Sequence, residues 1–106
     1  TTSKDVASLL EKIYNRKLVS PKYSDTMLEF LKKQNNRKKI PAGVSNGTVA
    51  NKTGEISNQG VQNDAAIVYT KNADYVIIVM STTSDNSKAI NNIKEISRIV
   101  YQYYNK

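Results

Sequence analysis

Cysteine and histidine are both absent from this sequence of 106 residues, and tryptophan is absent as well. The chain therefore has no disulfide, no cysteine nucleophile, no Ser-His-Asp triad and few of the ligands that transition-metal sites use. Any catalysis has to use lysine, serine, threonine, tyrosine or carboxylate groups, and we expect neither a metal nor another cofactor. The lack of cysteine does not decide the redox compartment, because exported proteins without disulfides are common.

Long apolar runs are also missing, so we expect no transmembrane segment. At this length the chain fits one ordinary domain with a small core. It begins with neither an initiator methionine nor a signal-peptide pattern. We interpret the sequence as a piece of a longer chain.

Basic residues outnumber acidic ones, 16 against 9, which gives a net charge of +7. Ten of the basic and four of the acidic residues lie within residues 1–40. Such a face can attract nucleic acid, an anionic membrane or a wall polymer through a salt-sensitive field. A solvated helical face is the more ordinary interpretation, and we favour it. The aromatic residues are mostly tyrosine and form no base-stacking platform, so we expect no specific nucleic-acid binding.

The first part of the chain has the apolar spacing of two helices. Apolar residues recur at helical spacing over residues 2–15, where Thr2 or Ser3 can act as the N-cap. A second helix is predicted from Ser20-Pro21 to about Gln34, because serine caps helices and proline is tolerated in the first turn. The short connector favours two helices packed near antiparallel or at a sharp angle.

Beyond the loop Ile40-Pro41-Ala42-Gly43 the pattern changes to short runs rich in strand-forming residues. Strands are predicted at residues 48–56, 65–70 and 75–82, and the short polar connections favour antiparallel hairpins. The third run is apolar on both faces, which favours a central strand that is covered on each side. We therefore expect additional cover from missing chain or from a partner.

The final segment carries an apolar stripe along a helix that runs to about Tyr104, with Ser84 or Asp85 as its cap. The predicted fold is α+β, with two N-terminal helices, a three-stranded antiparallel sheet and a long C-terminal helix. We divide the chain into residues 1–40, a helical pair, and residues 41–106, which hold the sheet and the last helix.

The tripeptide Lys52-Thr53-Gly54 has the composition of one wall of an active site. An ammonium, a hydroxyl and a glycine that admits a ligand to the backbone form the KTG element of the penicillin-recognising serine hydrolases. Lys52 and Thr53 point to opposite faces of a strand, so both can serve one cleft only along a sheet edge. The KTG strand is therefore predicted to be an edge strand. The alternative, an edge lysine that only discourages aggregation, is less favoured.

Over essentially its whole length, the sequence resembles the C-terminal part of the class A β-lactamases and their penicillin-recognising relatives. The similar segments occur in order: the helix start at Thr1-Thr2, residues 18–32, the loop at 40–43, the KTG run at 49–55, the strand that begins Asn63-Asp64, and the final helix. The resemblance implies a bacterial, extracytoplasmic enzyme that transfers an acyl group to a serine, either a β-lactamase or a D-alanyl peptidase.

The resemblance also implies roles for the residues of the KTG strand. Lys52 would supply positive charge and help to relay protons. Thr53 would hydrogen-bond the carboxylate of a β-lactam or a D-alanyl peptide, and Gly54 would leave room for close approach. The backbone N–H of Glu55 would be one of two oxyanion-hole donors.

Two residues of the next strand are further candidates. Asp64 can orient Lys52, or it can serve only turn chemistry, and both interpretations stay open. Gln62 lies near the place where class A enzymes often carry an arginine for the substrate carboxylate. An amide lacks the charge and the guanidinium fork, which argues against efficient penicillin hydrolysis.

The nucleophile of that family lies outside this sequence. Its Ser-x-x-Lys, its Ser-Asp-Asn and its Ω-loop glutamate all belong to the N-terminal half. Ser84-Asp85-Asn86 matches one of these motifs in letters, but it lies between a strand and a helix, and we interpret it as a helix cap. We expect the chain to be inactive alone and to need the N-terminal half of the same protein. The alternative is a catalytically silent domain that binds cell-wall polymer or a partner protein.

Overall fold

Helices cover both faces of a three-stranded sheet in the computed structural model, which describes residues 2–106. The elements are α1 (Ser3–Tyr14), α2 (Pro21–Lys32), β1 (Thr48–Ile56), β2 (Val61–Tyr69), β3 (Asp74–Thr82) and α3 (Asn86–Tyr104). Short 3-10 turns lie at Ile40–Gly43 and Ser57–Gln59. The predicted α+β fold is confirmed. None of these helices is long and apolar enough to cross a bilayer.

Local sequence determines where the helices begin. Thr2 and Asp5 form a capping box at α1, in which each side chain accepts the backbone N–H of the other residue, at 3.1 and 3.3 Å. Ser20 caps α2 and Asp85 caps α3, each by accepting the N–H three residues further on. These bonds satisfy donors that the first turn of a helix leaves free. They also confirm the interpretation of Ser84-Asp85-Asn86 as a helix cap.

The strands follow the order β1-β2-β3, and both pairs are antiparallel. The KTG sequence therefore lies on an edge strand, as predicted. The register places Lys52 opposite Ala65 and Thr53 opposite Asp64. β2 begins at Val61 rather than at residue 65, so the polar residues Gln62 and Asp64 lie inside the strand.

The prediction of a central third strand is wrong for the described sheet, in which β2 is central and β3 forms the second edge. Two consecutive hairpins place the middle strand of the sequence in the middle of the sheet. The apolar residues on both faces of β3 have a different cause, because α3 packs on one face and α1 on the other. Tyr75 and Ile77 belong to the core under α3, whereas Val76 and Ile78 pack on the α1 side.

The core has two parts, one on each face of the sheet. On one face, Ile93 of α3 packs with Val49, Ala66 and Val68. On the other face, buried residues of α1 pack on Ala50 and Ile67, with partly buried residues of α2 beside them. Odd-numbered residues of β1 thus face α3, and even-numbered residues face α1 and α2, as the period of a strand requires.

The Ile40–Gly43 turn is held tightly against α3. Ser97 Oγ donates to Ile40 O at 2.8 Å. A Cβ at Gly43 would lie 2.5 Å from Lys94 O and 2.6 Å from Arg98 N, so only glycine fits this approach. The turn thereby fixes the path of the chain just before β1, along the free edge of the sheet.

Candidate functional site

The KTG side chains leave opposite faces of β1. Lys52 shares its face with Ala50 and is exposed on the side of α1 and α2, whereas Thr53, 6% exposed, shares its face with Val49. Lys52 Nζ donates to Thr53 O at 2.7 Å, so the lysine bends back along its own strand. Both side chains are accessible to one ligand only at the strand edge, which is the geometry that the sequence predicts.

The free edge of β1 is partly covered by side chains from the segment after α2. Thr53 N–H donates to Gln34 Oε1 at 3.4 Å, and Arg37 Nη1 donates to Val49 O at 3.4 Å. Both backbone groups therefore point away from β2. In an antiparallel pair, every second residue of a strand directs its backbone N–H and C=O to the same side. Glu55 is separated from both Val49 and Thr53 by an even number of positions, so its backbone groups point to the same side as theirs. The N–H of Glu55 thus points to the free edge, as an oxyanion-hole donor must.

An apolar cleft of about 470 Å³ opens beside the KTG residues, between the sheet and the first two helices. Lys52, Thr53 and Gly54 are among the residues that line it. Side chains of α1, α2 and β3 line the rest, among them Leu10 and Ile78. The cleft therefore lies on the Lys52 face of β1, whereas the Thr53 hydroxyl is on the α3 face and is not directed into it.

Two donors converge on the carboxylate of Glu55, and a hydroxyl lies beside it. Glu55 Oε1 accepts from Asn36 Nδ2 at 2.9 Å and from Lys39 Nζ at 3.2 Å, and the Thr53 hydroxyl lies close enough to lower the pKa of the same carboxyl. Lys39 Nζ also donates to Asn63 O at 3.0 Å, and the lysine side chain is fully buried. We call Asn36, Lys39, Thr53 and Glu55 the Glu55 cluster. The sequence gives little sign of it, because residues 35–39 have the composition of a polar connector.

The Glu55 cluster makes stability depend on pH. Burial acts to raise the pKa of Glu55, but hydrogen bonds from Thr53, Lys39 and Asn36 outweigh it and lower the pKa below its ordinary value of 4.5. A lowered carboxyl pKa stabilises the fold fully above the ordinary value, and this contribution is lost as the pH falls through the folded pKa.

Glu55→Gln is therefore expected to lower the free energy of unfolding near neutral pH and to lose this effect progressively at pH values below 4.5. Urea unfolding at several pH values measures the difference. Glu95→Gln removes a carboxylate that is paired with Arg98 on the surface and serves as the control. A constant difference between wild type and Glu55→Gln at all pH values would contradict the prediction.

The side chain of Asp64 lies on the α3 face of the sheet, whereas that of Lys52 lies on the other face. Asp64 contacts Ile40 and Asn51 instead of Lys52. It is 1% exposed, and its carboxylate accepts from Ile40 N and from Asn51 Nδ2, both at 3.0 Å. Burial raises the pKa of Asp64, and the bond from Asn51 opposes this only in part. Asp64 therefore neither contacts Lys52 nor occupies a turn. It connects the residue before Lys52 to the start of the Ile40–Gly43 turn.

Gln62 is not brought to the cleft. It is 2% exposed on the α3 side of the sheet, where its Nε2 donates to Asn86 Oδ1 at 3.2 Å. Lys52 is on the other face of the sheet. Within residues 2–106 no group of three carboxylates lies close enough to hold a metal ion.

The helix-covered antiparallel sheet and its edge KTG strand define the protein class as β-lactamase-like. The model of the β-lactamase enzyme family matches residues 1–104, and the chain belongs to that family. No curated protein sequence matches the chain significantly.

Solved structures of relatives agree with this assignment. PBP-A matches with a TM-score of 0.90 and 31% identity over 99% of this chain and 40% of its own. A PBP-A variant solved as an acyl-enzyme complex with penicillin G gives the same values. A class A β-lactamase from Mycobacterium abscessus matches with a TM-score of 0.81 and 27% identity over 95% of this chain and 40% of its own. The chain thus spans about two fifths of the length of these relatives.

Proposed function

We propose that this chain is the C-terminal portion of a serine hydrolase that cleaves β-lactams through a serine acyl-enzyme. The observation that carries the proposal is the Glu55 N–H, which points to a free sheet edge beside the KTG side chains. A donor held there stabilises the oxyanion that develops when a serine attacks a carbonyl. The nucleophile would come from the N-terminal half of the same protein, so residues 1–106 alone would be inactive.

Each KTG residue has a proposed task in this reaction. Lys52 provides a positive charge beside the acyl group and helps to relay the serine proton. Thr53 donates its hydroxyl to the carboxylate of the substrate. Gly54, without a side chain, lets the substrate approach the strand edge. Asp64 acts indirectly, through Asn51 and Ile40, and Gln62 takes no part.

Apolar surface beside the site supports an N-terminal half as partner. Leu9 and Met80, which line the cleft, are exposed, and so is Ile56 at the end of β1. A second half that packs on this surface would bury apolar area and complete the walls of the cleft. We assign residues 1–40 to the helical region of the complete protein and residues 41–106 to its sheet region, and we place the protein outside the cytoplasm.

A D-alanyl peptidase is the second candidate. Its support is the buried amide of Gln62, which offers no positive charge to a β-lactam carboxylate. A peptidase of this kind also forms an acyl-enzyme with penicillin but releases it slowly. A catalytically silent domain that binds wall polymer through its basic residues would form no acyl-enzyme.

A fluorescent penicillin tests these proposals on the full-length protein. We expect a covalent adduct that survives denaturation, together with rapid nitrocefin turnover if the protein is a β-lactamase and slow turnover if it is a peptidase. Residues 1–106 alone should give no adduct. A folded full-length protein that forms no adduct would refute the serine hydrolase and leave the silent domain.

A further inference from the structure

The donors of the Glu55 cluster form a binding site for a carboxylate. Asn36 Nδ2 and Lys39 Nζ both donate to one anionic group, and the Thr53 hydroxyl lies beside it. An ammonium that is fully buried, as that of Lys39 is, requires a charged or strongly polar partner, because an unpaired buried charge is costly. In the free protein, that partner is Glu55 of the same chain.

Glu55 is also the most accessible member of the pair. Its side chain is 35% exposed, whereas that of Lys39 is 0% exposed. The ammonium of Lys39 therefore lies behind the carboxylate, and Glu55 lies between this ammonium and solvent. Rotation of Glu55 outward would open the donors to a carboxylate from solution without movement of the backbone.

We propose that Glu55 is a built-in competitor for the carboxylate of a ligand, which binds Asn36, Lys39 and Thr53 by replacing the Glu55 side chain. The inference rests on the proposed function in one respect, since it takes the ligand to be a β-lactam or a D-alanyl peptide. Thr53 belongs to both the KTG element and the Glu55 cluster, so the carboxylate of a ligand at the strand edge reaches the same hydroxyl. Asp64, the other carboxylate near Lys39, is held by Ile40 and Asn51 and does not exchange.

Competition of this kind selects against negatively charged ligands. Two carboxylates in contact with one ammonium repel each other, so binding an anionic ligand requires Glu55 to leave. A neutral ligand gains little from these donors and does not have to displace Glu55. The side chain of Glu55 thus determines specificity for the ligand. The backbone N–H has a separate role, which any residue other than proline would supply.

The first test compares benzylpenicillin with its methyl ester on the full-length protein. Glu55→Gln should raise the second-order rate constant of adduct formation about tenfold for the acid, because a neutral side chain competes less well than a charged one. For the ester the change should stay below about twofold, because the ester cannot compete as an anion. Glu95→Gln removes the same charge from a distant surface pair and should leave both rate constants unchanged. Equal effects of Glu55→Gln on acid and ester would overturn the proposal.

The second test does not depend on acylation. In the full-length protein with carbon-13 in its glutamate side chains, N-acetyl-D-alanine should shift the carboxyl resonance of Glu55, and N-acetyl-D-alaninamide should not. Absence of adduct in every variant would refute the serine hydrolase, while this titration would still decide the exchange. A Glu55 resonance that is unmoved at the highest attainable concentration of the acid would overturn the inference.

Discussion

Glu55→Pro is expected to slow formation of the penicillin adduct by about 100- to 1,000-fold relative to Glu55→Ala, the loss typical of one missing oxyanion-hole donor. Compared with alanine, proline removes the backbone N–H and adds only its ring at this position. The N–H points to the free edge of β1, as the outward groups of Thr53 and Val49 indicate, so no bond to β2 is lost. Proline is tolerated on edge strands for this reason. Gly54, the residue before it, is already in a strand, which is the conformation that a following proline favours.

Alanine at position 55 is the matched control, because both substitutions remove the carboxylate and only one removes the donor. The adduct rate is measured by stopped-flow fluorescence on full-length variants whose circular dichroism and urea unfolding agree. Equal rates for Glu55→Pro and Glu55→Ala would show that the N–H of residue 55 stabilises no developing charge. A loss of folded protein confined to the proline variant would show instead that the N–H of residue 55 donates to β2. That result would contradict the assignment of this N–H to the free edge of β1.

Local signals in the sequence are sufficient for the helices and for the edge position of the KTG strand. Thr2, Ser20 and Asp85 each precede a periodic apolar segment, and each is a cap in the structure. A cap acts within three residues, so its pattern is visible without knowledge of the fold. The edge position of Lys52 follows from strand parity combined with the KTG resemblance, which requires Lys52 and Thr53 to serve one cleft.

Long-range polar contacts are the part that the sequence conceals. Lys39 and Glu55 are 16 residues apart, and nothing in the polar run before Ile40 distinguishes a buried lysine from an exposed one. The early start of β2 has the same origin. Gln62 and Asp64 are buried polar residues, so a search for alternating apolar residues places the strand start beyond them.

The buried polar groups also explain why the KTG strand and the Ile40–Gly43 turn keep a fixed relation. Asp64 on the central strand holds Asn51 on one side and the N–H of Ile40 on the other. The turn is fixed in addition by Ser97 of α3. The segment that carries Asn36 and Lys39 ends at this turn, so the position of the Glu55 cluster depends on a network centred on Asp64.

Asp64→Ala is accordingly expected to lower the free energy of unfolding by about 3 kcal/mol, because it leaves the buried donors of Ile40 and Asn51 without an acceptor. Asp25→Ala, the same substitution at an exposed pair with Arg16, should leave stability near that of the wild type. Urea unfolding at neutral pH measures both changes, and a similar small loss in the two variants would contradict the role given to Asp64.

The loss caused by Asp64→Ala should also depend on pH, with a sign opposite to that expected at Glu55. Burial raises the pKa of Asp64 in the folded chain, and bonds from Asn51 and Ile40 offset this only in part. A carboxyl whose pKa is higher folded than unfolded makes the wild type less stable as the pH rises between the two values. Asp64→Ala removes this term, so the stability difference should be larger below that interval than above it. A difference that instead grows with rising pH would mean that the bonds to Asp64 outweigh its burial.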